Sequence, residues 1–171
     1  MKKITILGST GSIGRSTLDV VRNNPDRFEV AAMTAGANGK LFGEQIREFQ
    51  PEKAAILKED ALADVGDTGN TELTFGMCAI EDAAAFEASD IVVSAIVGGA
   101  GLMPTIRAIE AEKDIALANK EPLVMAGKLI TRMAARQGVR ILPVDSEHSA
   151  IFQALASGEE REVNRILLTA S

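Results

Sequence analysis

The first two dozen residues constrain this chain more than any other stretch, because they pass from a short apolar strand through a run of glycines into an amphipathic helix. Ile4, Ile6 and Leu7 form the kind of apolar run that reads as a buried parallel strand. It stops at Gly8, and Gly8, Gly11 and Gly14 then follow at intervals of three, with Ser9, Thr10 and Ser12 between them. Ile13, Thr17, Leu18 and Val21 share one helical face, and Asn23, Asn24 and Pro25 stop the helix. Strand, glycine turn and helix in this order suit a dinucleotide pyrophosphate. The phosphates need bare backbone N–H groups and the positive end of a helix, and a Cβ at the turn would block the approach. The spacing is GxxGxxG rather than GxGxxG, so this is a variant of the usual fingerprint. A glycine-rich turn with no ligand is the plain alternative; the context favours a cofactor.

Composition agrees with a sheet-and-helix chain. The 171 residues are 46% hydrophobic with no Trp or Tyr, which suits a parallel sheet under small-residue helices and allows one full domain plus the beginning of a second. Eighteen Lys and Arg stand against 24 Asp and Glu, a formal charge of −6 without a basic run, so nucleic acid is not the expected partner. The apolar stretches are strand-sized, so no membrane span is expected. With the glycine turn starting at Gly8, no signal or transit peptide is expected, and the single cysteine, Cys78, fits a reducing cytoplasm. Cys78 has no base near it in sequence and reads as a small buried or half-buried residue. His148 is the only histidine, which excludes a multi-histidine metal site.

The second strand, residues 28–34, ends in Thr34, Ala35, Gly36, Ala37 and Asn38. An acid normally stands there to take the adenosine ribose hydroxyls; its absence leaves room for a 2′-phosphate and tilts the reading to NADP. Asn38 also suits the cap of a helix carrying Leu41, Phe42, Ile46 and Phe49, which Pro51 ends. A third strand follows at 53–57, then a polar, turn-rich stretch from Lys58 to Gly76 with a weak strand at 71–75. A helix at 80–88 leads into a strand at 90–96 and the loop with Gly98, Gly99 and Gly101, before a helix beginning at Pro104. Residues 114–118 form the next strand. At its end stand Asn119, Lys120 and Glu121, ahead of a helix that starts at Pro122 and is capped by Gly138. Lys120 and Glu121 read either as groups for a substrate oxygen and a neighbouring polar group or as a solvated cap.

A last clear strand, 139–144, ends in Asp145, Ser146, Glu147 and His148. If that end is extended, Asp145 and Glu147 project to one side and offer two carboxylates to a hard cation such as Mg²⁺ or Mn²⁺, with His148 orienting a ligand. Ordinary compensation of a helix dipole explains the pair equally well. A helix that buries Ala150, Ile151, Ala154 and Leu155 and ends near Gly158, and a strand over 163–169, complete the reading.

GSTGSIG at the first turn, LANKEPLV in the middle and LPVDSEHSAIFQ near the end occur in the order and spacing that resembles the N-terminal part of the 1-deoxy-D-xylulose 5-phosphate reductoisomerase family. The resemblance implies an NADPH-dependent isomerisation and reduction of the sugar phosphate to 2-C-methyl-D-erythritol 4-phosphate in non-mevalonate isoprenoid synthesis. It further implies Mg²⁺, Mn²⁺ or Co²⁺ and a homodimer for the full-length enzyme. By resemblance, Gly8, Thr10, Gly11, Ser12, Ile13 and Gly14 hold the NADPH phosphates. Gly36, Ala37 and Asn38 meet the adenosine end, and Asn119 and Glu121 the nicotinamide end. Lys120, Ser146, Glu147 and Ser171 contact the substrate, Asp145 and Glu147 ligand the metal, and Lys120, Glu147 and His148 make the catalytic set. Pro122 departs from the family, which has a small polar residue there. The family's glycine-rich continuation, lid, third metal carboxylate and C-terminal helical domain are also missing, so a cofactor-binding part, inactive alone, is expected.

The expected architecture is α/β: a doubly wound, mostly parallel, Rossmann-like NADP-binding domain over residues 1–145, with 146–171 beginning a catalytic domain. A semialdehyde-type dehydrogenase shares the glycine turn but needs a catalytic cysteine in a setting Cys78 lacks. A non-catalytic NADP-binding or sensing module is the alternative of a different class.

Overall fold

A computed structural model describes residues 1–167, apart from the side chain of Glu160. Seven strands form one sheet: β1 (Lys2–Leu7), β2 (Phe28–Ala35), β3 (Lys53–Ile56), β4 (Glu72–Phe75), β5 (Ile91–Ser94), β6 (Asp114–Leu117) and β7 (Ile141–Pro143). Their order is β4-β3-β2-β1-β5-β6-β7, and all six pairings are parallel, so the mostly parallel expectation becomes a wholly parallel sheet. The helices are α1 (Ser12–Arg22), α2 (Gly39–Phe49), α3 (Met77–Ala84), α4 (Leu102–Glu110), α5 (Glu121–Gln137) and α6 (Ser146–Ala156).

Parallel strands cannot be joined by hairpins, so each crossover carries a helix or turn and both sheet faces become buried. One face packs Ile4, Ile6, Val30, Met33 and Ile56 against Leu18 and Val21 of α1 and Phe42 and Ile46 of α2. On the other, Leu7, Val92 and Ile115 meet Ile109 of α4 and Ile130 of α5, while Ala32 and Ala55 meet Ile80 and Ala83 of α3. Alternate residues of one strand thus serve both cores, which is why the strands read as continuous apolar runs.

Close approaches on the α1–α2 face depend on missing side chains. A Cβ on Gly14 would stand 2.5 Å from Ser9 Cα, which is how α1 comes down onto the turn that precedes it. A Cβ on Gly39 would come within 2.9 Å of Asp64 Cβ, and one on Gly43 within 2.8 Å of the Val65 carbonyl carbon. These two glycines, a turn apart on α2, let the 3-10 turn Glu59–Asp64 lie directly on the helix. That turn was not foreseen within the polar stretch from Lys58 to Gly76.

Three boundaries differ from expectation. The helix expected over 80–88 runs over Met77–Ala84, because Gly76, at φ +91°, turns the chain early. Pro104 does not begin α4: a 3-10 turn over Gly98–Gly101 precedes it, and α4 starts at Leu102. Residues 163–167 make no strand; the remainder of the one expected there, and Ser171, lie outside the described residues. Cys78 is exposed, not buried, in the first turn of α3.

The β7 edge is short, and charge secures it. Arg140 donates its backbone N–H to Asp114 Oδ1 at 2.9 Å and its Nε to Oδ2 at 3.0 Å, with Nη2 also on Oδ2. The guanidinium holds the Asp114 carboxyl below its usual range, against an opposing penalty from burial. A depressed folded pKa contributes stability that is present above the ordinary carboxylate value, about 4, and is lost as pH falls through the lowered one. Amide protection at Leu142 and Val144, whose N–H groups face β6, should therefore hold at neutral pH and fall selectively below about pH 4, a fall absent in Asp114→Asn, whose protection is already low. For the glycines, Gly14→Ala and Gly43→Ala should each cost about 3 kcal/mol in denaturant unfolding. Gly36→Ala, with nothing within 4 Å of its added methyl, should cost almost nothing.

Candidate functional site at the carboxyl edge of the sheet

Because every strand runs the same way, every strand-to-helix turn that carries a candidate residue emerges on one edge of the sheet. The strand order reverses at β1, flanked by β2 and β5, and this switch point is where open parallel sheets leave a crevice for ligands.

The first turn occupies that crevice. Gly8 adopts φ +87°, and its N–H donates to Thr34, to the carbonyl at 3.1 Å and to Oγ1 at 3.1 Å; Ser9 N–H reaches the same carbonyl at 2.8 Å. On the opposite side, a Gly8 Cβ would meet the Ala95 carbonyl oxygen at 2.9 Å. The turn closes with Gly11 N–H on the Gly8 carbonyl at 3.1 Å, and α1 begins at Ser12 with no side-chain cap and no acid in its first turn. Gly11, Ser12 and Ile13 are exposed and Thr10 half-buried. An uncapped helix start with accessible N–H groups is the donor set a pyrophosphate requires, so the residues present fit NADPH.

A buried pair fixes this turn from below, and the sequence had not singled it out. Ser9 Oγ donates to Gln45 Oε1 at 2.7 Å and Gln45 Nε2 returns to the Ser9 carbonyl at 3.0 Å, tying α2 to the turn. Only Gln45, a polar residue on the buried face of α2, hinted at it. At the head of α2, Asn38 is the cap, its Oδ1 accepting from Leu41 N–H at 3.2 Å. Gly36, Ala37 and Asn38 are exposed, and no acid stands at the end of β2 or in the first turn of α2.

Across the switch point, the glycine loop is a built element. Thr105 Oγ1 donates to the Gly101 carbonyl at 2.7 Å and pairs with Ser94 Oγ at 3.0 Å, while a Cβ on Gly99 would touch Met125 Sδ at 3.1 Å. Asn119 donates from Nδ2 to the Ile96 carbonyl, joining the ends of β5 and β6. Glu121 and Pro122 open α5, whose helix is broken at Ala126 (φ −143°, ψ 29°).

Of the two arrangements left open for the last cluster, the structure takes the helix start and not the extended end. Asp145 is the N-cap of α6 and Glu147 lies in the first helical turn, so the pair straddles a helix start. Asp145 Oδ1 accepts from the His148 N–H at 2.8 Å, and His148 Nδ1 lies 2.6 Å from Oδ2. Burial pushes the Asp145 carboxyl up, but the bonds from His148 outweigh it and leave it below its ordinary value. The Ser146 hydroxyl, donating to Glu147 Oε2 at 2.8 Å, holds the Glu147 carboxyl low, and nearby Lys120 lowers both. Lys120, Asp145 and His148 line one groove of about 320 Å³ with Leu117, Leu123 and Phe152. Among the described residues no three His, Cys, Asp or Glu side chains are grouped as a metal site. Two hard oxygen donors beside a cap histidine fit a divalent cation only in part.

Comparison with known proteins accords with this geometry. The family model for 1-deoxy-D-xylulose 5-phosphate reductoisomerase matches residues 4–127, and that for the C-terminal domain of the same enzyme matches residues 141–171. The reductoisomerase of Prosthecochloris aestuarii is 51% identical over all of this chain, which spans 46% of that protein. A magnesium complex of DOX-P reductoisomerase superposes with TM-score 0.86 at 42% identity, over 91% of this chain and 40% of the other. The Zymomonas mobilis enzyme with NADPH does so with TM-score 0.83 at 41% identity, over 89% and 41%. The chain thus spans less than half the length of the relatives it matches, and it belongs to the 1-deoxy-D-xylulose 5-phosphate reductoisomerase family.

Proposed function

We propose that this chain forms the NADPH-binding part, and the beginning of the catalytic part, of a reductoisomerase acting on 1-deoxy-D-xylulose 5-phosphate. The observation that carries the reading is the uncapped start of α1, exposed at the switch point beside a β2 end that holds no acid. Family membership supports it, as do solved relatives bound to NADPH and to magnesium.

In this reading the N–H groups of Thr10 to Ile13 hold the pyrophosphate, and Gly8 and Gly14 keep the turn and helix close enough to present them. Gly36, Ala37 and Asn38 border the adenosine ribose. Asn119, fixed on the Ile96 carbonyl, and Glu121 border the nicotinamide. NADPH, when bound, supplies the hydride. Lys120 offers its ammonium to a substrate oxygen, and Ser146, with Ser171 by resemblance, serves the sugar phosphate. Asp145 and Glu147 provide two of a divalent cation's ligands, the cation's role being to polarise substrate oxygens. His148 holds the Asp145 carboxylate in place through Nδ1 and the backbone N–H.

The division into residues 1–145 and 146–171 belongs to the same proposal. It is supported by α6, which has no buried residue. A homodimer and a cytoplasmic setting for the full-length enzyme complete the reading. Among the described residues no helix is long and apolar enough to cross a membrane. The non-catalytic NADP-binding module predicts cofactor binding alone; turnover by the full-length enzyme separates the two.

Calorimetric titration should show preference for NADPH over NADH, because no carboxylate stands ready for the ribose hydroxyls; equal affinity would sink the NADP reading. In the full-length enzyme, Asp145→Asn and Glu147→Gln should each lower kcat by a factor of about a hundred or more while leaving NADPH affinity within about twofold. Near-normal turnover in both would leave the pair a helix cap and nothing more. The chain alone, given NADPH, Mn²⁺ and deoxyxylulose phosphate, should bind cofactor without substrate-dependent loss of NADPH absorbance.

A further inference from the structure

Resting on that reading of the carboxyl edge, we propose that Lys58, with Lys40 beside it, receives the adenosine 2′-phosphate and so sets the preference for NADP(H) in this chain. The missing acid at the end of β2 explains why a phosphate is permitted there. It does not explain what attracts one, since Gly36, Ala37 and Asn38 bring no positive charge.

The backbone supplies the missing part. β2 and β3 pair in register up to Ala35 and Ile56. The ladder then continues beyond both strands, with Leu57 N–H on the Ala35 carbonyl at 2.9 Å and Lys58 N–H on the Gly36 carbonyl at 3.1 Å. Lys58 is therefore fixed alongside Gly36 and caps the 3-10 turn Glu59–Asp64. That turn is pressed onto α2, where Gly39 and Gly43 make room for it. The two glycines thereby locate Lys58 at the head of α2, where Lys40 is the second helical residue. Both lysines are exposed, and among the described residues neither side chain makes an ion pair or a hydrogen bond.

The other charged groups of this corner belong to the turn, to α1 and to α2, where Glu44 lies one helical turn beyond Lys40. Glu59, Asp60 and Asp64 lie in the turn, and Arg15 of α1 lines a cleft shared with Leu41 of α2. Three acids would repel a phosphate left to neutral backbone, so the free ammonium groups decide whether a doubly charged group is tolerated. A lysine there, unlike a carboxylate, gains nothing from bare ribose hydroxyls that a phosphate would not give more strongly.

The test is calorimetric titration of the chain with NADPH, NADH, 2′,5′-ADP and 5′-AMP, at low and at moderate salt. The unaltered chain should prefer both phosphate-bearing ligands, with the preference narrowing as salt rises. Lys58→Gln should weaken NADPH and 2′,5′-ADP about tenfold while leaving NADH and 5′-AMP unchanged. Lys58→Arg should retain the preference, and Lys40→Gln should reduce it less than Lys58→Gln. Equal losses for all four ligands, or a double Lys40→Gln, Lys58→Gln variant that keeps the preference, would overturn the assignment while leaving the cofactor site standing. An unaltered chain that binds neither NADPH nor 2′,5′-ADP would overturn the functional reading itself.

Discussion

Gly8 is the point on which the cofactor edge depends. Its amide is held by Thr34 of β2, its carbonyl closes the turn onto Gly11, and the Ala95 carbonyl after β5 stands where its side chain would be. Three strands are therefore brought to one backbone position whose φ only glycine adopts at no cost. Gly14 then lets α1 descend onto the turn, and the Ser9–Gln45 pair ties α2 to it, so both helices are fixed to the same turn.

The edge is also arranged by charge. At one end stand Lys40 and Lys58, unpaired among the described residues, beside exposed backbone; at the other, Lys120 lies close enough to Asp145 and Glu147 to lower both carboxyls. The first end suits an anion held by backbone and ammonium. The second keeps two carboxylates ionised, the state in which they can serve as hard ligands. Between them, the glycine turn after β5 is braced by the Ser94–Thr105 pair and by the Asn119 bond to the Ile96 carbonyl.

Much of this was legible in the residues because local signals and the tertiary arrangement agreed. Apolar runs, capped helices and the glycine turn gave the seven-strand frame, and Asn38 and Gly138 act as the caps they resemble. The illegible parts have one physical source: they depend on residues far apart in sequence. The Ser9–Gln45 pair spans 36 residues and the Arg140–Asp114 clamp 26, and no periodicity announces either. The sequence left the geometry of Asp145 and Glu147 open between an extended pair and a helix start, because an extended chain and an N-cap look alike for two residues. In the fold, the helix begins one residue earlier than the carboxylate alternation requires. Gly39 and Gly43 did carry a signal, since glycines one turn apart in a helix mark a close approach, although they do not say of what.

The position of β1 between β2 and β5 bears on how the chain reaches this state. β2 lies close behind β1 in sequence, but β5 is distant: the bond from Lys3 to Asp90 joins residues 87 apart. Closing so long a loop costs entropy before any contact compensates it. On contact-order grounds the half of the sheet built on β1 to β4 is expected to pair through its own short crossovers before β5 docks on β1. Because the Ala95 carbonyl forms one wall of the Gly8 turn, that turn is complete only when β5 is paired with β1. The turn at Gly8 is thus walled on one side by a strand encoded far downstream of it, and β1 to β4 alone leave that side open.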